Sequence, residues 1–286
     1  MQQRHRGGQW HTRSTDRCVV YLHIPKTAGR TLSSALVKNF PSEKTVHLDI
    51  LDAEVDEELD KIPLETRSRA RLLWGHFPYG VHTHIPRHCE FVTVLREPVA
   101  RVVSVYKFIL RTPRHVLYDR VTRERVSLED YVESGMDEGQ TGNSQTRQLS
   151  GRQFGVVDRA ALEEAKHNLA GFLVVGLTEH FEETFALLRR SLGLRIPFYV
   201  TRNESPPFRA SERALELIRE RNELDQELYA FARGLFLDQV ARQGKTFGLE
   251  VSAFRALRPL SRAGGGWAEG FLRKLSDTRA IKRLVG

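Results

Sequence analysis

The chain has 286 residues, 40% of them hydrophobic, and a formal charge of +8 from 44 basic and 36 acidic side chains. That length buries a full core as one large domain or two small ones, and the basic balance favours anionic ligands without identifying them. Two cysteines exclude a disulfide scaffold, and no run of the sequence approaches the ~18 apolar residues of a membrane span.

In chain order, residues 1–17 read as a disordered basic lead-in without the apolar core of a signal peptide, so a cytoplasmic protein is expected. Val19 to Leu22 is a short β-branched and aromatic run, a buried strand that Pro25 stops. Gly29 allows a tight turn, and Leu32, Leu36 and Phe40 recur at four-residue steps as one helix face. Strand, loop and helix place the backbone N–H groups of Thr27 to Thr31 at a helix N-terminus, where they can hold a phosphate or sulfate. Lys26 and Arg30 add positive charge, and Thr27 and Thr31 add hydroxyl donors. The physics is that of a Walker loop, but the letters are not, because Lys26-Thr27 precedes Gly29 instead of following the last glycine. An ordinary strand-to-helix turn that carries a lysine is the plainer alternative.

Asp49 to Asp60 is acidic with roughly helical apolar spacing, a solvated surface helix without functional weight. Leu72 to Gly75 is a short strand, and His76 stands where it gives way to a loop. Ligands of open α/β sheets bind at carboxyl ends of strands, so His76 can face a substrate as a general base; a histidine bonded within its loop is the alternative. His82, His84 and His88 follow closely but match no familiar zinc spacing, and no metal is expected. Phe91 to Leu95 is another strand, with Arg96 and Glu97 at its end and Pro98 suited to a first helical turn. Val99, Val102, Val103, Tyr106 and Ile109 form a core-facing stripe, from most of which Arg96, Arg101 and Ser104 fall away. Arg96 with Ser104 can clamp a phosphate, or Arg96 and Glu97 can be a surface ion pair.

Ser127 to Asp130 has the form of a capping box, with Gly135 ending that helix; residues 139–142 are loop, followed by the polar run Asn143-Ser-Gln-Thr-Arg147. Asp158 caps a helix through Leu169, Phe172 to Leu177 is a buried strand, and Phe181, Phe185, Leu188 and Leu192 mark a helix ended by Gly193. Glu179 caps or pairs at the strand's end. Residues 198–200 could form a short strand, and 211–243 are helical with a break at 222–225. A glycine hinge at 263–267 leads to a basic amphipathic segment, 271–285, that docks on protein or lies peripherally on a membrane. Cys18 and Cys89 each precede a strand-like run and are buried thiols or a single bridge. The domains expected are the lead-in, 18–247, and a C-terminal extension over 248–286. Strands alternating with helices predict an α/β three-layer sandwich around a central, mainly parallel sheet.

Two of these stretches are familiar as a pair. His23-Ile-Pro-Lys-Thr-Ala-Gly-Arg-Thr-Leu32 resembles the 5′-phosphosulfate loop of sulfotransferases that use 3′-phosphoadenosine 5′-phosphosulfate (PAPS), and Leu95-Arg-Glu-Pro-Val-Ala-Arg-Val-Val-Ser-Val-Tyr106 resembles their 3′-phosphate motif. The pattern is nearest the carbohydrate branch that includes the heparan sulfate 2-O- and 6-O-sulfotransferases and bacterial relatives, and it runs unevenly from Val19 to Phe247. The resemblance implies a P-loop-NTPase-like sulfotransferase fold, PAPS as cofactor with 3′,5′-ADP as product, and no metal. It implies that Lys26 meets the sulfuryl group and leaving phosphate, that Thr27, Ala28, Gly29, Arg30, Thr31 and Leu32 surround the 5′-phosphate, and that Arg96 and Ser104 hold the 3′-phosphate. His76 resembles the catalytic histidine of the 2-O branch. Asn143 and Arg147 match an Asn-x-x-Thr-Arg element that lines the acceptor cleft, and Thr201 or Arg202 would sit in a flap over the nucleotide. The function expected is O-sulfation of a hydroxyl acceptor, a saccharide or glycoconjugate and not a nucleic acid, with the Golgi lumen as the location if an anchor precedes the sequence. A nucleotide-dependent kinase and a non-enzymatic module that grips anionic glycans remain the alternatives.

Overall fold

The computed structural model describes residues 17–50, 55–194 and 208–262. The lead-in up to residue 16, the expected strand at 198–200, the flap carrying Thr201 and Arg202, and the hinge and basic segment beyond 262 lie outside the described residues.

Five strands, β1 (Arg17–Leu22), β2 (Thr45–Asp49), β3 (Leu72–His76), β4 (His88–Leu95) and β5 (Val174–Leu177), form one sheet in the order β2-β3-β1-β4-β5, every pairing parallel. Parallel neighbours need crossovers, and their right-handedness distributes the helices over both faces in a three-layer α/β sandwich. β1 lies at the centre: Cys18 to Leu22 are buried on both faces, as expected of a strand without polar alternation. β2, an edge strand, alternates instead, with Val46 and Leu48 buried and His47 and Asp49 exposed.

α1 (Gly29–Val37) follows β1, burying Leu32 and Leu36. Between β2 and β3 come α2 (Val55–Asp60) and α3 (Leu64–Arg69), so the acidic stretch is helical over Val55–Asp60, while Asp49 belongs to a strand. α4 (Pro98–Ile109), α5 (Tyr118–Arg123), α6 (Leu128–Glu133), α7 (Glu138–Thr141), α8 (Ser144–Ser150) and α9 (Arg159–Ala170) separate β4 from β5. α4 buries Val102, Val105, Tyr106 and Ile109 against Tyr131, Val132, Leu217 and Ile218 in a second apolar cluster beside the main core. Its Arg101 does not fall away from the core as the pattern suggested. The side chain is fully buried, with one nitrogen donating to Gln140 Oε1 at 3.1 Å and another to the Gln140 carbonyl.

The loop expected over 139–142 is largely the short helix α7, and the polar run that follows starts α8. Asp225 supplies the missing cap from far along the chain, accepting the N–H groups of Gln145 at 3.1 Å and Thr146 at 2.7 Å. After β5, α10 (Phe181–Leu192) ends at Gly193 with φ 63°, and α11 (Glu212–Arg221) and α12 (Glu223–Ala241) meet at Asn222. α13 (Thr246–Arg262) buries Phe247, Val251 and Phe254 in the main core, so the expected boundary at residue 247 falls inside a helix. Glu250, fully buried, accepts from Arg189 and, at 2.7 Å, from Arg190 of α10. Cys18 and Cys89 face each other in the β1–β4 register as free thiols. Among the described residues, no helix is long and apolar enough to cross a membrane.

Candidate active site

The carboxyl ends of β3, β1 and β4 lie side by side, and His76, the loop 23–28 and Arg96 emerge there. The loop after β1 is tightly wound. Lys26 (φ 70°) and Ala28 (φ 64°) are left-handed while Thr27 between them is not, an alternation that turns successive N–H groups into one concavity. Gly29 is required by what lies over it: a Cβ there would stand 1.5 Å from His23 Nε2. No side-chain hydrogen bond caps α1, which leaves its N-terminal dipole facing the concavity. Thr27 commits its hydroxyl proton inside the loop, to the Ile24 carbonyl at 2.9 Å, so it is no donor to a ligand.

Lys26 carries its ammonium 4.0 Å above the centre of the Phe108 ring. Burial, followed by the charges of Arg111, Arg96 and Arg30, lowers its pKa to about 8. Arg96 closes the gap between the two corners: one guanidinium nitrogen donates to the Lys26 carbonyl at 3.1 Å. Its Nε is buried and has no hydrogen-bond partner among the described residues. The Gln145 amide brackets Arg96, accepting its N–H at 3.0 Å and donating to its carbonyl at 2.9 Å. Glu97 is no surface partner of Arg96. Its carboxylate caps α4 through the N–H groups of Val99 (3.0 Å) and Ala100 (2.7 Å). Glu179 accepts the Glu97 N–H at 3.0 Å and the Tyr229 hydroxyl at 2.8 Å, which makes it a brace between β5 and α12. Ser104 is half-buried on α4, two turns beyond Arg96.

His76 ends β3, with Nδ1 3.2 Å from Asp49 Oδ1. The Asp49 carboxyl is held below the usual carboxylate range, chiefly by this bond. On its other side the His76 ring lies 4.3 Å from that of His23, which stacks on Tyr21 at 5.5 Å. Burial pushes the His23 pKa down to about 3, with the neighbouring His76 adding to the effect, so His23 is neutral. Neither Asp49 nor His23 stood out in the sequence as a site residue. The one available signal was the pairing of β2 with β3, which sets Asp49 opposite His76.

Arg147 lines a cavity of about 290 Å³ together with Pro78, Gln140, Gln148, Gln153 and Phe154. It donates to the Gly155 carbonyl at 2.7 Å, and its Nε is buried with no partner among the described residues. Gln148 ties the cavity to the strand ends, donating to the carbonyls of His23 (3.0 Å) and Phe77 (2.9 Å). Asn143 lies deeper, at φ 46°, and its side-chain oxygen accepts the Asp225 N–H at 3.0 Å. The histidines after His76 go to separate partners: His82 packs on Tyr79 and Phe91, and His84 pairs with Asp56 at 3.0 Å.

With this geometry in place, comparison with known proteins is informative. Residues 11–152 match the model described as the sulfotransferase family. Human heparan-sulfate 6-O-sulfotransferase 1 is 24% identical, over 77% of this chain and 66% of that protein. Heparan-sulfate 6-O-sulfotransferase 2 of Danio rerio is 25% identical over 80% of this chain and 60% of that protein. The chain therefore spans 60% to 66% of the length of these relatives, less than two thirds. A protein-tyrosine sulfotransferase of Arabidopsis thaliana is 29% identical over 34% of this chain and 18% of that protein. The crystal structure of a mouse sulfotransferase complexed with PAP aligns with a TM-score of 0.36 and 12% identity, over 75% of this chain and 66% of that one.

Proposed function

We propose that the chain is a sulfotransferase and moves the sulfuryl group of PAPS onto a hydroxyl of a saccharide acceptor, as its match to the sulfotransferase family and its similarity to heparan-sulfate 6-O-sulfotransferases support. The observation that carries this function is the contact of the two anion-holding corners, with Arg96 donating to the Lys26 carbonyl at 3.1 Å beside the end of the strand that carries His76.

The residues present fit a bisphosphorylated nucleotide. The Arg96 Nε is buried without a partner among the described residues, α1 has no side-chain cap, and Lys26 is an ammonium retained at neutral pH. When bound, PAPS supplies a sulfuryl group on a 5′-phosphate leaving group. The turn from Thr27 to Leu32 holds that phosphate at the start of α1, while Arg96 and Ser104 hold the 3′-phosphate. Lys26, held over the Phe108 ring by an interaction of about 1 kcal/mol, would exchange that contact for a stronger charge-assisted bond to the leaving phosphate and would balance its negative charge. His76 takes the acceptor hydroxyl's proton at Nε2, the nitrogen that Asp49 does not engage. Gln148, which lines the cavity beside Arg147, donates to the carbonyl of Phe77, the residue after His76, and the cavity has room for a sugar ring.

The test is transfer from sulfur-labelled PAPS to a panel of oligosaccharides in the presence of EDTA. Labelled saccharide with stoichiometric 3′,5′-ADP is expected. Phosphoryl transfer from Mg²⁺-ATP with none from PAPS would make the protein a kinase, and saccharide binding with turnover of neither donor would make it a binding module.

A further inference from the structure

We propose that Asp49 is the positioning residue for His76, fixing which imidazole nitrogen faces the acceptor; this rests on the assignment of His76 as the base. The pairing is built into the sheet. Asp49 and His76 are register partners at the carboxyl ends of β2 and β3, and the Ile50 N–H donates to the His76 carbonyl at 2.8 Å just beyond them. Gly75 sets how closely the strands approach. At φ 138° it lets Leu48 pass so near that a Cβ would lie 1.8 Å from the Leu48 carbonyl oxygen. Gln153, from the rim of the cavity, donates to the Ile50 carbonyl at 2.8 Å and holds the strand end that carries Asp49.

The chemistry follows from the inventory of donors. A carboxylate only accepts, so the 3.2 Å contact is satisfied when the neutral His76 ring carries its proton on Nδ1, which leaves the lone pair on Nε2. The His23 ring on the other flank is neutral and cannot supply a competing charge. His47, its ring tilted 4.2 Å from that of Trp74, also acts on Asp49, as His23 does more weakly. In the transfer, the acceptor O–H bond breaks and the proton forms a bond to Nε2, giving an imidazolium whose charge Asp49 balances. The His76 side chain is 26% exposed, which leaves it accessible to an acceptor.

The experiment compares wild type with Asp49→Asn and Asp49→Ala in the full chain, reading steady-state kinetics, 3′,5′-ADP affinity by calorimetry, and the His76 tautomer by ¹⁵N NMR of the imidazole. The expected result is a single Nδ1–H tautomer in wild type and a mixture in Asp49→Ala. With it, kcat falls roughly ten- to a hundred-fold while KM and 3′,5′-ADP affinity stay within twofold. Wild-type His76 carrying its neutral proton on Nε2 would overturn the proposal. So would kcat preserved within twofold in Asp49→Ala, or a kcat loss accompanied by lost nucleotide affinity and an unchanged tautomer. If His76→Ala itself keeps full activity, the base assignment has failed; the tautomer measurement still reports on the Asp49–His76 pairing by itself.

Discussion

At the scale of single residues, the site is governed by two groups whose protonation the fold has moved in ways that can be measured. His23 is buried and neutral, its pKa near 3 against an ordinary value of about 6.5. A base whose folded pKa is depressed adds stability that is fully present above its unfolded pKa and is lost as pH falls. His23 therefore removes up to about 1.4 kcal/mol per pH unit between about pH 6.5 and 3. The depressed Asp49 carboxyl acts in the same direction at the acid end of that window. Urea unfolding of His23→Gln should accordingly show a flatter loss of stability with acid than wild type, whatever its stability at neutral pH. Parallel curves would mean that His23 does not carry the acid sensitivity. Lys26 works from the other side. Lowered to about 8, it loses its charge as pH rises through that value, and anion affinity goes with it. Calorimetric affinity for 3′,5′-ADP should weaken by as much as tenfold per pH unit above about 8; a flat profile from pH 7 to 10 would remove Lys26 from the nucleotide's charge balance.

At the scale of elements, what the sequence disclosed depended on whether an element's cause was local. β1 and β4 were legible because strands buried on both faces are written as unbroken apolar runs, and α9 because its cap, Asp158, directly precedes it. β2 was hidden because an edge strand needs only Val46 and Leu48, two residues that also suit a helix. α8 was hidden because its cap is Asp225, reached only through the tertiary fold, and Arg101 was misplaced because the buried guanidinium finds its hydrogen-bond acceptors on Gln140, on another helix. The Lys26 and Arg96 corners were legible from their letters, whereas Asp49 became visible only through strand pairing. The corner at α4 yields a further expectation. Glu97→Ala removes both cap bonds and should cost about 1 kcal/mol of stability, read in urea, with weaker nucleotide binding because Arg96 is the adjoining residue. Stability unchanged within error would show the cap to be incidental. Arg96→Ala should instead leave stability nearly intact and weaken 3′,5′-ADP binding at least tenfold; unchanged affinity would refute its phosphate role.

At the scale of the whole molecule, α13 carries core packing past residue 247. Val251 and Phe254 are core residues, and Glu250 gathers two arginines of α10 in a fully buried site. A chain ended at residue 247 forfeits both side chains, about 4 kcal/mol of apolar burial, and strands two half-buried guanidinium groups. Its melting temperature should fall by about 10 °C or more. A melting curve identical to that of the full chain would place the edge of the domain at 247 after all. Glu250→Gln isolates the charge from the packing and should account for a part of the same loss.

The bracket that Gln145 makes on Arg96 joins the Arg96 corner to the cavity. Its amide grips both the N–H and the carbonyl of the arginine, and its own helix continues into Arg147 and Gln148 at the cavity. On the proposed assignments, tinkering with α8 to admit a different sugar would therefore disturb the residue proposed to hold the donor nucleotide as well. Phe154 and Val156, exposed between Gln153 and Asp158, stand outside that splint. A laboratory that wishes to redirect the proposed activity toward new acceptors should diversify those two positions and leave Gln153 and the helix untouched.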